Sequence, residues 1–142
     1  MDRLRDLLGD DAVALFVDGP NVLREEFDVD LDEVRAAATP LGRLAVARVY
    51  LDEGAPAALV QAAEARGFEV RITAGDVDVK LAVEATALLG EVAALAVASR
   101  DADFKPLLEV AARRGVHTLA IAPGEHGRSD ALRNAAHESV TL

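Results

Sequence analysis

The sequence predicts an α/β fold, a doubly wound and mostly parallel sheet of five or six strands with helices on both faces. Two observations indicate it. Short, nearly uninterrupted apolar runs, typical of strands that are buried on both faces, recur along the chain. Segments in which apolar residues follow helical spacing separate these runs, as right-handed crossovers between parallel strands require. We expect the strand order 3-2-1-4-5, with residues 139–142 as a candidate sixth strand.

The first half of the chain supplies two strands. A continuous apolar run, VALFV, ends at Asp18, where Gly19 and Pro20 form a turn. Pro40 and Gly42 stop the helix that precedes the second strand, LAVARVYL. The elements predicted here are a helix at 3–8, a strand at 13–17, a helical turn and loop at 22–30, a helix at 31–38 and a strand at 44–51.

The second half continues the alternation. Pro56 opens a helix that Gly67 closes. The third strand, FEVRIT, alternates polar and apolar residues, so we expect it near an edge of the sheet. Asp103 suits the N-cap of a later helix that has Pro106 in its first turn and ends at Gly115. The elements predicted here are helices at 56–66, 76–89, 103–115 and 129–136, and strands at 68–73, 92–98 and 116–122.

Composition predicts one domain over residues 1–142, long enough to bury a core. Half of the residues are hydrophobic, which excludes a disordered chain. No apolar run approaches the length that spans a bilayer, and the charged N-terminal segment does not resemble a signal peptide, so we expect a cytoplasmic protein without membrane contact. Because the chain has no cysteine, any bound metal must be held by oxygen or histidine.

The charge balance is unusual. The chain has 25 acidic and 15 basic side chains, for a formal net charge of −10, and Lys80 and Lys105 are its only lysines. Such a composition is typical of cytosolic proteins of halophilic archaea. At about 1 M salt the screening length falls to roughly 3 Å, so the acidic surface does not exclude an RNA substrate.

Acidic residues follow three of the predicted strands. Asp18 ends the first strand, Asp76 and Asp78 open the helix after the third, and Asp101 and Asp103 follow the fourth. In a parallel sheet all of these positions lie on one edge, where open α/β folds bind their ligands. Carboxylates that lie close together raise one another's pKa, and a divalent cation relieves the repulsion. Oxygen ligands suit Mg²⁺ or Mn²⁺, which commonly serve phosphoryl and phosphodiester chemistry.

Each acid also has a structural interpretation. Asp76 and Asp103 would serve as helix caps. Asp18, in a turn, could bond its own backbone. Asp78 would be stabilised by the dipole at the N-terminus of its helix. Asp78 also heads the apolar stripe of that helix, however, where a carboxylate is costly unless it is paired or bound to a metal. Glu84 lies off that stripe, four residues after Lys80, and could form a surface ion pair with it.

Other phosphate-handling classes lack their motifs. There is no glycine-rich phosphate loop and no nucleophile elbow in the sequence. A phosphatase with an aspartyl nucleophile would need a second aspartate two residues after Asp18, where Pro20 stands. A receiver domain would need adjacent acids on the first strand and a lysine after the fifth, and neither is present.

Three blocks of the sequence, FVDGPNV (16–22), VDVKLAVEA (77–85) and SRDADFKPLL (99–108), resemble the signature blocks of the NYN domain. This is a branch of the PIN-like, FLAP-nuclease-related ribonucleases, with a PIN-like, Rossmannoid sheet. The order and spacing of the blocks match over nearly the whole chain. The second block departs from a common family pattern at Gly75, Asp76 and Glu84, where many members have Lys, Gly and Asp, and Arg100 replaces a frequent glycine.

The resemblance implies a metal-dependent ribonuclease and a set of site residues. Metal ligands would be Asp18, Asp78, Asp101 and Asp103, with Asn21 orienting a ligand beside Asp18. For substrate binding we single out Ser99, which would shape the turn, and basic residues near the edge that could pair with phosphates: Arg24, Lys80, Arg100 and Lys105.

The sequence therefore predicts an endoribonuclease in which an aspartate cluster holds Mg²⁺ or Mn²⁺ and a bound water attacks the phosphodiester. RNA is the expected partner, and a homodimer is possible. The alternative is an RNA- or protein-binding regulatory module, weakly active or inactive, on the same scaffold.

Overall fold

A computed structural model describes residues 11–23, 29–125 and 129–142. The helix predicted at 3–8 lies outside the described residues. The strands are β1 (Ala12–Asp18), β2 (Arg43–Asp52), β3 (Glu69–Thr73), β4 (Ala94–Ala98), β5 (His117–Ala122) and β6 (Glu138–Thr141). They form one sheet in the order β3-β2-β1-β4-β5-β6, and every neighbouring pair is parallel. The predicted order is confirmed, with β6 added beside β5 and β3 at the opposite edge.

The helices are α1 (Gly19–Val22), α2 (Leu31–Ala38), α3 (Ala57–Ala65), α4 (Val77–Ala87), α5 (Lys105–Arg113) and α6 (Asp130–Ala135). Helices α1 to α3 pack on one face of the sheet, in a core that includes Val34 and Ala63. Helices α4 to α6 pack on the other face, in a core that includes Leu81, Leu108 and Leu132. The predicted layering, with helices on both faces, is confirmed.

The central strands explain the uninterrupted apolar runs. Every residue of β1 and of β4 is buried, because both faces of these strands are covered by helices. Successive side chains alternate between the faces, so that Leu15 and Val17 join the α1–α3 core while Phe16 joins the α4–α6 core. By the same alternation Asp18, at the end of β1, lies on the side of α4.

Two helix starts differ from the prediction. Asp103 does not cap the helix that follows β4. Instead Asp101 caps a short 3-10 turn at Ala102–Phe104, with its carboxylate accepting a hydrogen bond from the Asp103 backbone N–H at 2.9 Å, and α5 follows directly. Asp76 occupies the N-cap position of α4, but its side chain accepts no capping hydrogen bond. Both carboxylates are therefore at the edge of the sheet without the capping role that their positions suggested.

The described ranges contain no helix with the length and apolar character needed to cross a bilayer.

Candidate metal centre

A cleft of about 310 Å³ opens at the carboxyl edge of the sheet, where β1, β2 and β4 end and α4 begins. Five of its nine lining residues are aspartates. The lining residues are Asp18, Pro20, Asn21, Asp52, Gly75, Asp76, Val77, Asp78 and Asp101. The topology thus gathers carboxylates from distant parts of the sequence into one place, as expected for the ligand-binding edge of an open α/β sheet.

Asp18 forms the buried wall of the cleft, with only 1% of its surface exposed. Its Oδ2 accepts hydrogen bonds from Asn21 Nδ2 at 2.6 Å and from Ser99 Oγ at 2.8 Å. Burial raises the pKa of Asp18; these two hydrogen bonds oppose the rise, and the nearby charges of Asp101 and Asp78 add to it. A carboxylate in these surroundings is stabilised in its charged form by a cation.

The turn after β1 places Asn21 against Asp18. At Gly19 a Cβ atom would lie 2.4 Å from Leu51 Cδ2 and 2.5 Å from the Tyr50 carbonyl oxygen, so only glycine allows α1 to lie this close to β2. Pro20 then occupies the start of α1, where its fixed φ is compatible with a helix. The side chain of Asn21, three residues after Asp18, consequently reaches back to the carboxylate.

A hydrogen-bonded turn after β4 joins the other side of the cleft to Asp18. Ser99 is buried, and its Oγ both donates to Asp18 and accepts from the Asp101 backbone N–H at 3.0 Å. Arg100 Nε donates to Asn21 Oδ1 at 3.3 Å, which links this turn to α1. Asp101 is therefore held in a fixed relation to Asp18 by backbone and side-chain contacts.

Asp78 and Asp101, which line the cleft, form an acidic cluster with Asp103 beside it. One carboxylate oxygen from each lies within 4.8 Å of the other two, and within the described part of the chain no other three acids or histidines are gathered this closely. Asp78, in the first turn of α4, and Asp101 are half-buried, whereas Asp103 is exposed. Asp78 thus faces the cleft rather than the core.

The donor set fits a hard divalent cation. All ligands are oxygens, the preference of Mg²⁺ and Mn²⁺. With metal–oxygen bonds of about 2.1 Å, two ligand oxygens of an octahedral Mg²⁺ are about 3.0 Å apart when adjacent and about 4.2 Å apart when opposite, so the three carboxylates would have to move closer together to share one cation. Of the four predicted ligands, three are clustered, and Asp18 lies in the same cleft.

Sequence reasoning missed Asp52, and it placed Asp76 on this edge with a helix cap as the alternative role. Asp52 ends β2 on the same edge, where its Oδ1 accepts a hydrogen bond from the Gly54 N–H at 2.9 Å, and both carboxylates line the cleft. The signal was available for Asp52, because the end of every parallel strand lies on this edge.

The basic residues predicted to bind substrate lie in different environments. Arg100 contacts Asn21 beside the cleft. Lys105 is exposed at the start of α5. Lys80 Nζ lies 3.4 Å from Glu84, one turn farther along α4. Arg24 lies outside the described residues.

Tyr50 and Glu84 connect β2 to α4 behind the cleft. Tyr50 is fully buried, stacks on Phe16 with ring centroids 5.8 Å apart, and donates its hydroxyl to Glu84 Oε1 at 2.6 Å. Burial raises the pKa of Tyr50, and its bond to Glu84 adds to the rise, so the hydroxyl remains a donor.

Glu84 is the meeting point of three cations. Arg48 Nη1 and Arg71 Nε each lie 3.5 Å from its Oε1, and Lys80 lies 3.4 Å from its Oε2. Glu69 pairs with the same two arginines, at 3.1 and 2.7 Å. Partial burial would raise the pKa of Glu84, but the Tyr50 hydrogen bond and the charges of Arg71 and Lys80 outweigh it and hold that pKa below its ordinary 4.5.

Comparison with known proteins identifies the family of the chain. The NYN domain model matches residues 12–142. An uncharacterized protein of Methanocaldococcus jannaschii is 42% identical over 143 residues, which cover 99% of this chain and 59% of that protein. The chain therefore spans 59% of the length of this archaeal relative.

The fold also matches a crystal structure of a protein of unknown function from Vibrio parahaemolyticus, with a TM-score of 0.79. The match covers 94% of this chain and 93% of that one, at 21% sequence identity, and at this identity it concerns the fold alone. The predicted family is confirmed by the sequence match. The chain belongs to the NYN domain family, which has a PIN-like nuclease fold.

Proposed function

We propose that this protein is a metal-dependent endoribonuclease. The observation that supports this most directly is the cluster of Asp78, Asp101 and Asp103, whose oxygens lie within 4.8 Å of one another beside the buried carboxylate of Asp18. Three carboxylates at this spacing repel one another, and a cation that binds between them relieves the repulsion. Membership of a family with a nuclease-type fold favours a phosphodiester substrate.

In this proposal Asp18, Asp78, Asp101 and Asp103 hold Mg²⁺ or Mn²⁺. Asn21 and Ser99 orient Asp18 by occupying its Oδ2. Within the described residues Oδ1 accepts no hydrogen bond, so it remains available to a cation. A bound divalent cation would supply Lewis-acid polarisation of the phosphate and a water of lowered pKa.

The residues around the cleft would bind and orient the RNA. Arg100 lies in the turn after β4 and Lys105 at the start of α5, and we assign both to phosphate contacts, with Ser99 fixing that turn. Lys80, on α4, is assigned to a phosphate farther along the same RNA strand, and Arg24, which lies outside the described residues, stays an expectation from the sequence.

The proposal is tested by cleavage of end-labelled single-stranded RNA in about 1 M KCl, with Mg²⁺ or Mn²⁺ titrated from zero. Asp18→Asn and Asp101→Asn should each lower the rate by roughly 100-fold or more, the scale of losing a group that stabilises developing charge. Asp32→Asn is the matched control, because Asp32 is exposed on α2 and pairs with Arg66. It should cleave like the wild type.

The alternative of a regulatory module makes a different prediction. If no RNA is cleaved at any metal concentration while RNA or protein binding is retained, the enzymatic proposal is wrong and the scaffold serves binding alone. A cytoplasmic location and a homodimer remain expectations, to be checked by fractionation and light scattering.

A further inference from the structure

Helix α4 connects the acidic cluster to a second polar group of the molecule. Asp78, in its first turn, faces the cleft, and Glu84 lies six residues later, about 9 Å along the axis. Glu84 is too far along the helix to be a member of the cluster. Its contacts instead tie α4 to β2 and β3 behind the cleft.

The hydrogen bond from the Tyr50 hydroxyl to Glu84, at 2.6 Å, connects β2 to α4 directly. Tyr50 is directly opposite Asp18 in the parallel register of β1 and β2, and its ring is fixed by stacking on Phe16. A buried hydroxyl that loses its partner costs about 1 to 3 kcal/mol, so α4 is held in the one orientation that satisfies it. We call this pair the Tyr50–Glu84 anchor.

The two arginines make the anchor stronger. The Arg48 side chain is 17% exposed and the Glu84 side chain 25%, so their attraction is only partly screened by water. Within the described residues, the buried Nε atoms of Arg48 and Arg71 lack a hydrogen bond of good geometry, although Glu69 and Glu84 lie within ion-pair distance. Removing the negative charge of Glu84 would leave the positive charges of these guanidinium groups less well neutralised.

Rotation of α4 about its axis would move the metal ligand. A side-chain oxygen lies roughly 5 Å from a helix axis, so a rotation of about 20° displaces it by about 2 Å. Metal ligands and catalytic groups tolerate displacements of only about 0.5 Å and rotations of about 10–20° from the productive geometry. The orientation of α4 therefore decides whether Asp78 stays within reach of Asp101 and Asp103.

We propose that the Tyr50–Glu84 anchor positions Asp78 for the divalent cation, so that Tyr50 and Glu84 are positioning residues of the metal centre without touching the metal. This inference rests on the proposed function, since it assumes that the cluster binds Mg²⁺ or Mn²⁺. It explains why a carboxylate, a phenol and two guanidinium groups are gathered on one side of α4, away from the cleft.

The test is a titration of the folded protein with Mn²⁺, in which the electron paramagnetic resonance signal of free Mn²⁺ gives the dissociation constant without any RNA. Tyr50→Phe and Glu84→Gln should weaken binding by about tenfold, and Glu84→Ala by about 10- to 100-fold, the range measured for residues that support metal ligands. Saturating Mn²⁺ should restore binding in all three variants, because the ligands themselves are intact.

Glu69→Gln is the matched control. Glu69 pairs with the same two arginines, but its ion pairs stay on the strands and do not reach α4. If these ion pairs serve only to stabilise the fold, Glu69→Gln and Glu84→Gln should both lower the free energy of unfolding and leave the Mn²⁺ affinity at the wild-type value. That result overturns the inference. Failure of the wild type itself to bind Mn²⁺ would overturn the proposed function as well.

Discussion

Asp101→Asn should stabilise the metal-free protein while removing its response to metal. The selected oxygens of the acidic cluster lie within 4.8 Å of one another, and at 4.8 Å two unit charges repel by about 0.9 kcal/mol in water and by about 3.5 kcal/mol at an effective dielectric of 20. Because Asp78 is half-buried and Asp103 exposed, we take the lower part of this range. Asparagine keeps an oxygen for the Asp103 N–H, so the cap of the 3-10 turn is retained.

The expected gain is about 1 to 2 kcal/mol in the free energy of unfolding, or roughly 3 to 6 °C in the melting temperature for a chain of this size. Urea denaturation and thermal melts in EDTA at low ionic strength would measure it. In about 1 M KCl the gain should shrink, because screening then extends over only about 3 Å. Mn²⁺ at 100 times its dissociation constant should stabilise the wild type by about 2.7 kcal/mol and reverse the order of stability.

Two outcomes would contradict a repulsive, metal-binding cluster at Asp101. One is a variant that is less stable than the wild type in EDTA, which would mean that the carboxylates are not in mutual repulsion. The other is equal stabilisation of both proteins by Mn²⁺, which would mean that the cation binds elsewhere. Asp32→Asn serves as the control for loss of one negative charge remote from the cleft.

Three further predictions concern the supports of the site. The pKa of Glu84 is lowered in the folded protein, so ionised Glu84 stabilises the fold fully above the ordinary pKa of 4.5. This stabilisation of the fold is lost as the pH falls through the pKa of Glu84 in the folded protein. The difference in the free energy of unfolding between wild type and Glu84→Gln should therefore diminish in urea titrations from about pH 6 to pH 3. Gly19→Ala should cost about 1 to 3 kcal/mol in urea denaturation, because the new Cβ would overlap Leu51 and the Tyr50 carbonyl, and an unchanged stability would contradict the close approach of α1 to β2. Ser99→Ala removes a donor to the buried Asp18 and an acceptor for the Asp101 N–H, so it should cost about 1 to 3 kcal/mol by the same measurement, whereas Ser139→Ala on the edge strand β6 should cost much less.

The strand order could be predicted because its signals are local. The runs that became β1 and β4 are apolar on both faces, which places them at the centre of the sheet, and the alternation in β3 identifies an edge strand. Proline and glycine marked most boundaries of the helices. Once the sheet is known to be parallel, the gathering of Asp18, Asp78 and Asp101 at one edge follows from topology alone.

The predicted helix cap after β4 was wrong because two neighbouring carboxylates compete for that role. Asp103 and Asp101 both had the chemistry of a helix cap, and the 3-10 turn between them decided that Asp101 accepts the hydrogen bond. Sequence pattern cannot distinguish the two, because the outcome depends on one turn of backbone geometry.

The network behind the cleft could not be predicted for a different reason. Tyr50 and Glu84 are 34 residues apart, and their hydrogen bond exists only because α4 crosses β2 at this point. The i,i+4 pair of Lys80 and Glu84 is visible in the sequence, but the partners Arg48 and Arg71, from two strands, are not. The i,i+4 spacing therefore predicted an isolated surface ion pair between Lys80 and Glu84, whereas Glu84 also contacts Tyr50, Arg48 and Arg71 in the structure.

In the proposed metal centre, carboxylates from three segments hold one divalent cation in the cleft. The most direct measurement is the anomalous difference density of a crystal soaked in Mn²⁺. We predict a peak within about 2.5 Å of carboxylate oxygens of Asp78 and Asp101, with Asp18 or Asp103 completing the protein ligands, and its loss in Asp101→Asn. A wild-type crystal in which the Mn²⁺ peaks lie only on other surface acids, with none in the cleft, would contradict the account.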